Sequence, residues 1–200
     1  MNQIRDYRVW IPMLAIGLML LLTALPAEAQ CENCGFMDDY VADLERVSEK
    51  LVSLAEAIPA EQYSWRPNDE VRPTSGIFMH VAGVNFLVPV GLGAEAAEGM
   101  ELGENPFALL GKLEAEVTAK DDVIGKLKSS IEYAKGAVRE VAATGLSEQS
   151  ELFGFAASKR AYLLIVLTHS HEHLGQAIAY ARSMGVTPPW SQQGDGGDEG

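Results

Sequence analysis

Basic charge is scarce in this sequence: 15 lysines and arginines face 28 aspartates and glutamates, for a formal net charge of -13. No basic cluster interrupts the acidic background. That argues against a nucleic-acid partner, because holding a phosphate backbone takes grouped Lys and Arg. The charge suits solubility and draws cations toward the surface. Cysteine is equally sparse, with Cys31 and Cys34 the only two in 200 residues. A Cys-x-x-Cys redox motif sits at a helix start within a thioredoxin-like strand and helix pattern, and no such pattern surrounds this pair. Near the start of an exported chain a disulfide is the favoured reading, ahead of metal capture. Alternation of apolar and polar residues is missing too, so no strand is expected. Paired Glu-x-x-His motifs, which a di-iron carboxylate bundle requires, are also absent.

What is present begins with an address. Arg5 and Arg8 precede an apolar stretch from Val9 to Leu25, and Ala27-Glu28-Ala29 has the small-x-small form of a signal-peptidase site. This pattern predicts a signal peptide over residues 1–29 and a protein that is periplasmic or extracellular. The apolar stretch falls short of a bilayer span of about 20 residues, so tethering by an uncleaved signal is the alternative. Gln30 is not the small residue that lipidation of Cys31 would want. A short cysteine-containing segment, 30–35, leads into one domain over 36–190, since 48% hydrophobic content in this length fills one core but hardly two. The acidic stretch 191–200 lacks apolar residues and is expected to be disordered.

Within the domain the apolar positions follow helical spacing. Tyr40, Leu44, Val47, Leu51, Leu54 and Ile58 line one face of a helix from Phe36 to Ile58, which Pro59 ends. A loop rich in turn formers runs from Tyr63 to Gly76. Thr74 or Ser75 is placed to cap a second, almost wholly apolar helix from Ile77 to Gly93, with Pro89 kinking or ending it. Helical character resumes near Ala108, breaks near Asp121 and Asp122, and continues through Val123, Leu127, Ile131, Ala134 and Val138. The last helix runs from about Ser158 to Met184, closed by Gly185 and then by Pro188 and Pro189. Four long helices with no strands predict an all-α fold, an up-down-type four-helix bundle preceded by a signal peptide.

Three of the four histidines crowd into "THSHEHLGQ", Thr168 to Gln176. Successive helical residues are about 100° apart, so His169 and His173 lie within about 40° of each other while His171 lies about 160° from His169. Two imidazoles four residues apart can converge on one cation, and make half a metal site. The fourth histidine, His80, stands inside the apolar second helix, which a bundle places beside the last one. Three imidazoles then meet in the interior. His171 is expected to point outward or to support the site, Glu172 to be solvated or to partner a neighbouring histidine, and Tyr40, Tyr162 and Tyr180 to be core. Both the Tyr162/Val166/His169/His173/Tyr180 stripe and the Leu164/Leu167/His171/Leu174/Ile178 stripe are apolar, so which one is innermost stays open.

Two stretches resemble the DinB-like, or DinB/YfiT-type, family of metal-binding four-helix bundles. "YSWRPNDEVRPTSGIFMHVAGVNFLVPVGLG" (Tyr63 to Gly93) is similar to the family's W-R-P, V-R, H-V-A-x-x-N pattern. "LTHSHEHLGQAIAYARSMGVTPPW" (Leu167 to Trp190) is similar to its H-x-x-x-H-x-G-Q, Y-x-R, G-x-x-P-P ending. The resemblance implies a three-histidine metal site on His80, His169 and His173, the trio that helical geometry selects. It also carries over the family's Asn as Asn85, Gly175 as a close-packing residue and Gln176 as a hydrogen-bonding support.

By that resemblance the chain is a divalent-metal-binding protein, with zinc the first expectation and nickel or iron as alternatives. Three neutral imidazoles with an open position suit a Lewis acid that activates water or a thiol, as in a metal-dependent hydrolase or thiol transferase acting on a small molecule. The better understood members are cytoplasmic transferases or isomerases that use low-molecular-weight thiols. A leader and an N-terminal cysteine pair set this chain apart from them. The other reading is a non-catalytic exported bundle that binds a metal or ligand. Spare apolar helix surface would allow a homodimer.

Overall fold

The computed structural model describes residues 34–100, 105 and 108–192. The signal peptide, the side chains of both cysteines and residues 193–200 of the expected tail lie outside the described residues. The described part is mostly helical. Helix α1 (Cys34–Ala57) carries the predicted stripe, with Leu44, Val47, Leu51 and Leu54 all at most 1% exposed and Ile58 equally buried just past its end. Burying each such side chain contributes roughly 1.5–3 kcal/mol before ordering costs. After Pro59 a single 3-10 turn, Ala60–Gln62, opens the loop to α2 (Thr74–Gly91).

That loop is pinned rather than loose. The Tyr63 hydroxyl donates to the Ala55 carbonyl at 2.7 Å, and the amides of Thr74 and Ser75 donate to the carbonyls of Trp65 and Tyr63, each at 2.9 Å. These bonds overturn the capping expectation. Thr74 and Ser75 are buried inside the first turn, Pro73 stands at the N-cap without a side-chain bond, and the Thr74 hydroxyl is spent on Trp65. Pro89 sits within the last turn of α2, where the helix closes through the Leu92 and Ala94 amides onto its carbonyl, at 3.0 Å each. Helix α2 is apolar and long enough to cross a membrane, yet 83% of it is buried inside the fold, so it is a core helix.

Helix α3 (Ala108–Glu116) and α4 (Lys120–Ala143) are separated near the predicted break, with Asp121 and Asp122 in the first turn of α4, where the helix dipole favours them. Helix α5 (Lys159–Ser183) starts at Ser158, whose hydroxyl accepts from the Ala161 amide at 3.2 Å. It ends before Gly185, at φ 79°. A short α6 (Pro189–Gln192) takes in Ser191 and Gln192, the first two residues of the stretch expected to be disordered. Helices α1 and α2 each pack against both α4 and α5, with the core between the four and α3 lying on α2.

One expectation fails outright. Strands β1 (Gln149–Leu152) and β2 (Phe155–Ser158) form an antiparallel hairpin between α4 and α5. Their sequences, QSEL and FAAS, hold no apolar alternation because the hairpin buries neither face fully. It is fixed instead by its turn and by one hydroxyl. Phe153 and Gly154 both take positive φ, 58° and 80°, as a two-residue hairpin turn requires. The fully buried Tyr162 of α5 accepts from the Leu152 amide at 2.8 Å and faces the carbonyls of Leu152 and Phe155 as donor. Tyr162→Phe is expected to lower stability by about 1–2 kcal/mol, because backbone groups lose their partner. Urea denaturation read by circular dichroism checks this, and an unchanged midpoint would refute the hydroxyl's role.

Candidate metal centre

Helix α2 is buried on nearly every side, so a polar residue in its middle needs a neighbour of its own. His80 finds two kinds. Across the α2–α5 interface its ring centroid lies 5.0 Å from that of His169 and 4.8 Å from that of His173, while the last two are 4.3 Å apart. One ligand nitrogen from each of the three histidines lies within 4.8 Å of the others. Tetrahedral nitrogen ligands about 2.0–2.1 Å from a zinc ion would stand roughly 3.3 Å apart, so small ring rotations bring this set to ligand spacing. The trio could hold a metal ion.

The outer ring nitrogens are held in a way that suits ligation. His80 Nδ1 meets Glu114 Oε1 at 2.8 Å, and His173 Nδ1 meets Gln176 Oε1 at 2.9 Å. An acceptor at Nδ1 fixes the proton there and leaves Nε2 as the lone pair, the arrangement by which neighbouring carboxylates and amides orient metal-binding imidazoles. His169 Nδ1 is buried and has no hydrogen-bond partner among the described residues, an unmet polar atom that a cation in this cluster would explain. Burial pushes the His169 imidazole down to about 3, helped by the charges of His173, His80 and Arg72. Burial likewise lowers His80, against the hydrogen bond it donates to Glu114, which raises it. Neutral imidazoles are the form that binds a metal.

The other sequence expectations divide. The innermost stripe of α5 is the one bearing Tyr162, Val166, His173, Ala177 and Tyr180, all buried, whereas Leu164 is 43% exposed. His171 points outward, with Nε2 3.1 Å from Asp43 of α1, and Glu172 is exposed. Tyr40, Tyr162 and Tyr180 are core. Gln176 supports His173 as expected. Gly175 does not pack closely: it is exposed, and a Cβ there would meet nothing within 4 Å, since this side of α5 faces away from the core. Asn85 is buried but turns to α4, its Nδ2 donating to Ser130 Oγ at 3.2 Å, rather than to the histidines.

Two charged residues of the site escape sequence reasoning. Glu114 sits on the nine-residue α3, and its second oxygen accepts from Arg72 Nε at 2.9 Å. Arg72 belongs to the quoted V-R segment, but only the structure shows that it shares a carboxylate with His80. A cavity of about 350 Å³, bordered by Phe86, Met100, Leu109, Leu113 and Lys126, has no histidine in its lining. Chemistry rather than volume therefore selects the histidine cluster.

No curated protein sequence matches the chain. Among solved structures it is similar to a DinB-like protein from Bacillus cereus, at 13% identity and a TM-score of 0.62, over 76% of this chain and 95% of that one. It is also similar to a DinB-like protein from Bacillus subtilis, at 21% identity and a TM-score of 0.57, over 74% of this chain and 93% of that one. At such identities the likeness is one of fold. The family model of the DinB superfamily matches residues 43–177, a span that contains all three clustered histidines. The chain belongs to the DinB superfamily.

Proposed function

We propose that this protein is an exported four-helix bundle of the up-down type that holds a divalent metal ion, zinc first among the candidates, on His80, His169 and His173. The observation that carries the reading is the meeting of three imidazoles from α2 and α5, with Glu114 and Gln176 on two outer nitrogens and an unpartnered, buried nitrogen on His169. When bound, such an ion supplies Lewis-acid chemistry that activates a water or thiol at neutral pH. The chain's own residues do the rest. Glu114 and Gln176 set the tautomers, the buried wall of α2 limits water, and burial keeps the imidazoles of His80 and His169 neutral. Metal-dependent hydrolysis or thiol transfer on a small molecule is the activity this arrangement serves best. Export is supported by the Arg5/Arg8, Val9–Leu25 and Ala27-Glu28-Ala29 pattern.

The test is elemental analysis of the untagged protein beside His80→Ala and His169→Ala. Near-stoichiometric metal in the parent and its loss from both folded variants is the expected outcome. A parent that stays metal-free after reconstitution would sink the reading.

A further inference from the structure

Arg72 stands two residues before α2, and its position is fixed from both ends. Its carbonyl accepts from the Tyr180 hydroxyl at 3.3 Å, on the same stripe of α5 as His173. Its Nε donates to Glu114 Oε2 at 2.9 Å, while the other oxygen of that carboxylate meets His80 Nδ1 at 2.8 Å. A single carboxylate therefore separates the guanidinium from a histidine of the cluster. The Arg72 side chain is 39% exposed, and among the described residues its Nε makes the hydrogen bond to Glu114 while its two terminal amino groups make none.

A guanidinium anchored through Nε keeps its opposite edge, two parallel N–H donors in one plane, for a second anion. The local charges favour one. Arg72 and Glu114 cancel, imidazoles that ligate a metal do so uncharged, and any cation the histidines hold is left uncompensated by protein carboxylates in the pair. An anionic ligand would complete the balance. An arginine kept only for its bond to Glu114 would gain little, since half-exposed ion pairs contribute about 0–1 kcal/mol.

The geometry points to a carboxylate-binding subsite at Arg72: the small molecule handled at the histidine cluster bears a carboxylate, gripped by the terminal amino groups while Glu114 holds the guanidinium in place. This rests on the metal-binding reading and narrows its substrate class. A carboxylate fixed at Arg72 would orient the rest of the molecule toward His80, Glu114 acting as a positioning residue for both.

The untagged full chain, loaded with cobalt(II) so that its visible spectrum reports ligands, is titrated with butyrohydroxamate and with succinic monohydroxamate. The two probes share a chelating head and chain length and differ in one terminal carboxylate. The parent is expected to bind the carboxylate-bearing probe about tenfold more tightly, the size of a charge-assisted hydrogen bond. Arg72→Gln should bring that preference to within about twofold while shifting butyrohydroxamate and cobalt affinity less than about threefold. Arg72→Lys, which keeps the charge and loses the fork, should fall between; should Arg72→Gln lose cobalt, this variant carries the comparison, and an undiminished preference in it overturns the subsite. Equal preference in parent and Arg72→Gln, or none in the parent, also overturns the subsite and leaves the three-histidine reading standing. A parent that takes up no cobalt overturns both.

Discussion

Stripping metal from the folded protein with a chelator is expected to lower its thermal unfolding midpoint by about 10 °C. An ion bound to the folded state alone, at a thousand times its dissociation constant, stabilises that state by about 4 kcal/mol. In a domain of this size each kcal/mol moves the midpoint by about 2–4 °C. The ligands come from two helices that share the core, so the gain belongs to the whole cooperative unit rather than to a loop. Circular dichroism melts of reconstituted and chelated samples measure it, with His169→Ala as the control in which the two melts coincide. Coincident melts in the parent would show that the folded histidines hold no ion.

The second large effect is acid sensitivity of the metal-free protein. Folding lowers the His169 imidazole from its usual range near 6.5 to about 3, chiefly by burial, and lowers His80 as well. Above pH 6.5 both folded and unfolded chains carry these residues neutral, and no difference arises. Below it the unfolded chain takes up protons that the folded one refuses, so stability falls as pH drops from 6.5 toward 3. Allowing for partial solvent screening, His169 should cost about 2 kcal/mol between pH 7 and pH 4.5. Urea titrations of the chelated protein across this range should show the loss. His169→Gln should flatten the curve, and an equally steep curve in that variant would refute the assignment. Protons and metal compete for the same nitrogens, so the chelator effect should also fade below about pH 6.

The histidine trio was legible in the sequence because helical geometry is rigid. A 100° step separates His171 from its neighbours whatever the surroundings, and an imidazole inside the apolar run of α2 demands a partner. Glu114 was not legible, because a carboxylate on a short, half-exposed helix carries no motif, and its importance comes only from where α3 lies on α2. The hairpin escaped for a related reason. Alternation marks a strand with one buried face, and QSEL and FAAS have none; Tyr162 and the Phe153-Gly154 turn hold them instead. Gly175 shows the opposite failure, a packing role borrowed from a resemblance that its exposed position does not support. Thr74 looked like a cap because of its residue type, but a tertiary bond to Trp65 claimed its hydroxyl first.

The three histidines come from two distant parts of the chain: His80 stands about ninety residues before His169 and His173, which share the last long helix. The cluster therefore cannot exist in an N-terminal fragment that stops short of α5, and a chain made or threaded from its N-terminus completes it only when α5 docks. Closing so long a loop early would cost chain entropy that no local contact repays. Ion uptake at this site would then be a late event, a check that the polypeptide has been finished and folded. In a chain that crosses a membrane unfolded, the ion would be taken from the compartment of arrival and not from the one where synthesis began.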